Sequence, residues 1–336
     1  PGRLNVNTAV RRFLLSLAFL ALLGGAALAQ VEPLNPPERV SVAYVPIMKF
    51  APLYVAAERG LFEALGLDVE INRVASGTEA IAFLTEGQID VGGIAIVTSL
   101  WNGWNQGLDI RVIAPGGLEP FENSPTKLMV RTDLFESGAV TSIDDLRGRT
   151  VSVAGGPGSG GEYLAAKALE RAGLTIRDVN LINVANPDMP ASFEGGAIDA
   201  GILGSPYAQQ VEEAGFAVEL AGDLTPGAMT VAFVGSSNFV TNRPEVARRF
   251  AARLMQGDDF LSQENVDSYL TYVSSTPEAV AGDALLVFDP NQQIPVADLA
   301  DVERTHRENG RTEYTEVLDL SNVVASEFTE WALEQL

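Results

Sequence analysis

Residues 84–94 read LTEGQIDVGGI, and residues 193–203 read FEGGAIDAGIL. Each holds Gly-x-Ile-Asp-x-Gly, from Gly87 to Gly92 and from Gly196 to Gly201. A chain that spells one segment twice must give both copies equivalent surroundings. The agreement extends upstream. Val40-Ser41-Val42-Ala43 and Val151-Ser152-Val153-Ala154 are apolar, strand-like runs, each followed by Gly- and Pro-rich residues. Helical stretches follow at 53–67 and 163–174. Their apolar residues recur at three- and four-residue steps (Leu53, Ala56, Ala57, Leu61, Leu65; then Leu164, Ala168, Leu169). Both stretches end at a Gly-Leu, where Gly66 and Gly173 suit a left-handed cap. Second strands are expected at 68–74 and 179–184. The offsets between the copies are 111 residues at the first strand, 107 at the Gly-Leu and 109 at the Asp. Two copies of one β-α-β-α-β unit follow, and with them an α/β fold of two lobes, each a parallel-rich sheet flanked by helices.

The repeated Asp90 and Asp199 stand at the start of buried strands, where a carboxylate accepts backbone N–H groups in the turn. They are expected to mark topology. Strand-like segments at 126–133 and 229–240 are the natural crossings between lobes. The last ninety residues read as mostly helical, with Thr276-Pro277-Glu278 as a helix start. The expected boundaries are 30–126 for the first lobe, 127–234 for the second, and 235–336 for a return to the first lobe with C-terminal helices.

Residues 1–29 stand apart. Arg3, Arg11 and Arg12 precede the apolar run FLLSLAFLALL, which closes on small residues around Ala27 and Ala29. This is the pattern of a secretory signal cleaved near Ala29/Gln30, and the run falls short of the roughly 20 residues that span a bilayer. There is no cysteine, so neither disulfides nor a lipoprotein anchor is available, and the expected location is a periplasm. The formal charge of −22, more negative still without the signal's arginines, excludes nucleic acid as a partner.

In open α/β sheets ligands lie beyond the carboxyl ends of the strands. That rule selects PIMKFAPLY, ASGTE and GIAIVT in the first lobe, and GGPGSGGEY, NPDMP and LGSPY in the second. Lys49 is one of three lysines, with Phe50 and Tyr54 beside it. It reads either as a cation with an aromatic wall for an anionic or planar ligand, or as a solvated loop lysine. Ser76, Gly77 and Thr78 open a helix whose free N–H groups attract anions, and Ser76 with Glu79 also fits a capping box. Ala95 lies in the third loop. Gly158, Ser159 and Gly160 belong to GPGSGG, which formally matches a dinucleotide fingerprint. At this place it reads more simply as a nest of N–H groups for ligand oxygens. Asn186, Asp188, Ser205 and Tyr207 complete the candidates. Trp101 and Trp104, three apart on a helix, read as core.

VAYVPIMKFAPLYVAAERGLFEALGLDVEI, SGTEAIAFLTEGQIDVG and FEGGAIDAGILGSPYAQQVEEAG together resemble the solute-binding proteins of ABC importers. The resemblance is to the branch that handles taurine, alkanesulfonates, nitrate and thiamine-pyrimidine precursors (NMT1/THI5-like), and it runs from about residue 38 to 250. It implies a two-lobed periplasmic-binding-protein fold of type II with two crossover hinge strands closing over one small ligand, and C-terminal helices returning to lobe one. It also implies a membrane permease with its ATPase as partner.

Chemistry for catalysis is scarce. His306, the single histidine, lies in the polar stretch RTHRENGR and is expected to be solvated and far from the cleft. With no Cys and no second His, cysteine proteases, Ser-His triads and His/Cys zinc sites are excluded. The expectation is a monomeric, cofactor-free binder of a small anion such as a sulfonate or nitrate. A pyrimidine- or flavin-like heterocycle is the alternative, with Phe50, Tyr54, Tyr163 and Tyr207 as its aromatic surroundings. A lyase or dehydratase using Asp188 or Glu162 as base, or a sensor subunit, are rivals of other classes.

Overall fold

The computed structural model describes residues 31–204, 206–255, 266–273 and 293–335. The expected signal segment, Ser205 and the helix start at Thr276-Pro277-Glu278 lie outside the described residues.

Two five-stranded sheets carry the fold. The strands are β1 (Glu38–Tyr44), β2 (Leu67–Arg73), β3 (Val91–Ala95), β4 (Arg111–Pro115), β5 (Lys127–Arg131), β6 (Thr150–Val153), β7 (Asn180–Asn183), β8 (Ala200–Leu203), β9 (Ala217–Ala221) and β10 (Val231–Gly235). The first sheet is ordered β2-β1-β3-β10-β4 and the second β7-β6-β8-β5-β9. In each, the three strands of the repeated unit run parallel, and the strand that enters from the other lobe is antiparallel to both its neighbours. β10 pairs wholly within the first sheet, so the chain has recrossed before the 234/235 boundary drawn from the sequence.

The helices follow the repeated pattern with one interruption. The stretch expected as helix over 53–67 is helical only over Ala51–Glu58. The chain breaks at Gly60 (φ 65°) and resumes as a short 3-10 turn, Glu63–Leu65, closed by left-handed Gly66 (φ 73°). Its counterpart Gly160–Glu170 runs unbroken, and Gly173 follows at φ 65°. Trp101 and Trp104 pack in the core, as expected, with ring centroids 5.2 Å apart.

Of the C-terminal helices, Pro244–Met255 and Ser326–Gln335 pack on each other and on β4. Val296–Glu308 lies instead between the helix Thr98–Asn105 of the first lobe and Gly160–Glu170 of the second. Tyr163 donates to Asp301 at 2.8 Å, and Lys167 pairs with the same carboxylate.

The duplicated Asp answers the question its repetition raises. The Asp90 carboxylate accepts from the Ser41 amide at 3.0 Å while the Asp90 amide donates to the Ser41 carbonyl at 2.8 Å. Asp199 makes the same two bonds with Thr150, both 2.9 Å. The donor thus sits on the first strand of the unit, across the sheet, and not in the turn. Each aspartate extends the pairing of its strand by one residue and fixes register, since a slip by one would exchange the buried and exposed faces. An arginine completes each site: Arg243 at 3.1 Å from Asp90 and Arg131 at 3.6 Å from Asp199. Asp199→Ala leaves the half-buried Thr150 amide without its acceptor, while Arg131 keeps Asp133 and the Gly196 and Ile198 carbonyls, so urea denaturation should show a loss of about 1–3 kcal/mol.

Candidate functional site

The carboxyl ends of the parallel strands of both sheets converge on one cleft, a cavity of about 840 Å³. All six loops selected by the strand-end rule contribute to it. From the first lobe come Lys49, Ser76, Gly77, Thr78 and Ala95; from the second, Gly158, Ser159, Gly160, Asn186, Asp188 and Tyr207. Ser205 lies outside the described residues.

Three expected aromatic contacts are corrected. Phe50 is fully buried and meets Phe233 edge-on at 5.1 Å. Tyr54 is fully buried too. Its hydroxyl donates to the Ile47 carbonyl at 2.7 Å, and its ring stacks on Tyr272 at 4.9 Å. Phe50 closes the 3-10 turn Met48–Phe50 and Tyr54 lies in the first turn of the helix Ala51–Glu58, and both rings face the core of the first lobe. Tyr163 is spent on Asp301. Tyr207 is the one aromatic side chain among the described residues of the cleft lining.

Lys49 lines the cleft, yet it is neither solvated nor free for a ligand. It is 8% exposed; its ammonium pairs with buried Glu119 and donates to Thr230 Oγ1 at 2.8 Å. Glu119 also accepts from Ser124 Oγ at 2.7 Å and Thr126 Oγ1 at 3.1 Å. Sequence reasoning missed this carboxylate because it lies 70 residues away, on the segment that crosses to the second lobe. It also missed Arg73, which ends β2 at the cleft. Its signal was available: a basic residue at the carboxyl end of a parallel strand. Burial pushes the Tyr207 phenol up, and Arg73 pulls it back, which puts the two within electrostatic reach.

Both main helix starts at the cleft are built alike. Ser76 caps Gly77–Thr85 by accepting from the Glu79 amide at 3.3 Å, and Glu79 accepts from the Ala75 amide at 2.8 Å. Ser159 caps Gly160–Glu170 by accepting from the Glu162 amide at 3.1 Å, and Glu162 accepts from the Gly158 amide at 3.0 Å. Capping is therefore realised at both. It leaves the first two helical amides of each, Gly77 and Thr78, Gly160 and Gly161, without intrahelical partners at the cleft wall. Glu162 is not a candidate base. It is fully buried, and Arg311 Nε lies 3.0 Å from both its carboxylate oxygens. Gly158 has φ 79°, and its carbonyl accepts from both the amide and the hydroxyl of Thr98 at 2.8 Å each. A side chain there would collide with Thr98, so glycine allows the second-lobe loop to touch the first lobe.

His306 also departs from expectation. It is fully buried, accepting from Trp101 Nε1 at 3.0 Å and lying 3.0 Å from the Ser159 carbonyl.

The two sheets and the cleft at their strand ends make up the periplasmic-binding-protein fold. The NMT1-like family model matches residues 34–271, and the chain belongs to that family. It is 26% identical over 265 residues to the riboflavin-binding protein RibY of Chloroflexus aurantiacus, covering 74% of this chain and 68% of that protein. The periplasmic aliphatic sulphonate binding protein SsuA of Escherichia coli superposes with a TM-score of 0.69 at 16% identity, over 88% of this chain and 99% of that one. The periplasmic nitrate-binding protein NrtA of Synechocystis gives 0.69 at 16%, over 89% of each chain. A desulfurization enzyme, DSZB, shares the fold as well, with a TM-score of 0.61 at 15% identity over 89% of this chain and 99% of that one. No helix among the described residues is long and apolar enough to cross a membrane.

Replacing Lys49 by Met strands the buried Glu119 charge without its counterion. Thermal and urea unfolding should report a loss of about 3–5 kcal/mol, and the double variant K49M/E119Q should recover a large part of it.

Proposed function

We propose that this protein is the extracytoplasmic solute-binding component of an ABC importer and that it captures a ring-sized, neutral or weakly charged organic solute. The ligand bridges the two lobes, stabilises the closed state by its differential affinity, and is handed to a membrane permease. The observation that carries the ligand class is the Lys49–Glu119 pair in a cleft of about 840 Å³. The lysine that would have matched a compact anion is already neutralised. The volume lies in the upper part of the roughly 300–1,000 Å³ typical of pockets for drug-sized molecules. Apolar side chains such as Ile47, Val74, Val97, Leu164 and Ile202 line it, interspersed with hydroxyls and the amides of Asn183 and Asn186. Such walls suit a heterocycle whose polar edges are read by hydrogen bonds. The riboflavin named for the Chloroflexus relative is a concrete member of that class.

A small organic anion is the second reading. Arg73 and the two capped helix starts favour it. Catalysis on the same scaffold, with Asp188 as base, would reveal itself as turnover.

The deciding experiment is thermal unfolding of the chain from Gln30, refolded to remove carried-over ligand, against flavins, pyrimidines, sulfonates, nitrate and carboxylates. A ligand at a hundred times its dissociation constant adds about 2.7 kcal/mol. A shift from flavins or pyrimidines is the expected result; a shift from sulfonates or nitrate alone would overturn the ring-sized reading, and product formation would overturn the binder.

Tyr207 offers a second check. Its hydroxyl is buried and has no hydrogen-bond partner among the described residues. Tyr207→Phe should therefore leave ligand-free stability unchanged or slightly raised. It should weaken the ligand found above by about 0.5–1.5 kcal/mol in titration calorimetry, the net worth of one hydrogen bond.

A further inference from the structure

The glycine-rich loop of the second lobe is held from behind by a residue that the ligand never meets. His306 sits on Val296–Glu308, the helix wedged between the lobes. Trp101 belongs to the helix after β3 in the first lobe; Ser159 caps the second-lobe helix, between cleft residues Gly158 and Gly160. An indole N–H can only donate, so the ring nitrogen facing it, Nδ1, must be bare. The proton of the neutral ring is then on Nε2, which donates to the Ser159 carbonyl. One tautomer thus ties both lobes together through the helix that bears it.

We propose that His306 is a positioning residue for the ligand loop, a clasp that holds Gly158–Gly160 against the first lobe while neutral and releases it on taking up a proton. A second proton can only go to Nδ1, where it faces the Trp101 N–H donor to donor. The charges around the ring do not rescue it. Glu162, on the second-lobe helix, is matched by Arg311, and Glu303, on the histidine's own helix, by Arg307 at 3.0 Å. The first-lobe helix Thr98–Asn105 presents no titratable group. Burial, the largest influence, pushes the imidazole below its ordinary value, outweighing the Ser159 bond and the pull of Glu162. A group depressed in this way holds its full stabilisation above the free value of about 6.5 and loses it as the pH falls from there towards the value in the folded protein. The functional meaning of the clasp rests on the cleft being the ligand site, but its test needs no ligand.

As the chain's single histidine, His306 gives one unambiguous set of imidazole signals in nitrogen-15 NMR. The expected result is the Nε2–H tautomer at pH 7, a midpoint below 6.5, and a Trp101 indole N–H shift that moves with it. Hydrogen exchange of the Gly158–Gly161 amides, corrected for intrinsic rate, should be about tenfold faster at pH 5 than at pH 7. His306→Gln can donate and accept at similar positions but does not titrate, so its loop should exchange slowly at both pH values. An Nδ1–H tautomer, a midpoint at the ordinary value with unchanged loop exchange, or an acid response in H306Q equal to the wild type would each overturn the proposal. A failure of the ligand panel would leave these measurements untouched.

Discussion

The buried ion pair of Lys49 and Glu119 governs the junction of the two lobes. Taking each charge out of water costs several kcal/mol, a cost that only close pairing and full hydrogen bonding offset. Here the remaining valences are met by Ser124, Thr126 and Thr230. The backbone follows suit: the Lys49 carbonyl accepts from Gly117 at 2.9 Å, and Glu119 bonds to the 227–228 turn through both its amide and its carbonyl. The first ligand loop is therefore fixed to both crossing segments at once. The same pair sets the chemistry of the cleft, because it neutralises the lysine and leaves hydroxyls, amides, Asp188 and Arg73 as the polar groups of the lining.

What could be read from the sequence divides along the range of the interactions. The repeated units were legible because strands, turns and left-handed glycines are specified by neighbours in the chain; Gly66, Gly173 and the two aspartates stand where the pattern put them. The cleft loops were legible because strand ends define them topologically. Side-chain roles within those loops were not. Phe50 and Tyr54 lie within five residues of Lys49, yet the 3-10 turn Met48–Phe50 and the helix Ala51–Glu58 turn them into the core. Lys49 itself depends on Glu119, and nothing local announces a partner 70 residues away.

His306 shows the same limit from the opposite side. RTHRENGR looks solvated because it is polar, yet Thr305 and His306 within it are buried, because the polar groups around them find their complements. Glu162 and Glu303 are buried acids that answer Arg311 and Arg307, and the imidazole uses both nitrogens. Composition alone cannot distinguish a solvated polar stretch from an internally satisfied one, since the distinguishing partners come from Thr98–Asn105 and Gly160–Glu170.

These contacts change the mechanical picture of a two-strand hinge. The lobes are joined by the segments around 116–126 and 221–231, and also by the helix Val296–Glu308, which bonds Trp101 on one side and Ser159, Tyr163 and Lys167 on the other. Packed interfaces do not stretch continuously; they hold or they switch. A closing motion that keeps Trp101–His306–Ser159 intact must have its axis close to that line, so that Gly158 and Thr98 barely separate while Asn186 and Ser76 swing. A motion about any distant axis has to break a buried bond of the single histidine. In the proposed closure, this third strap makes rotations about that line the cheap ones, so the Asn186–Asp188 rim moves further than the glycine loop.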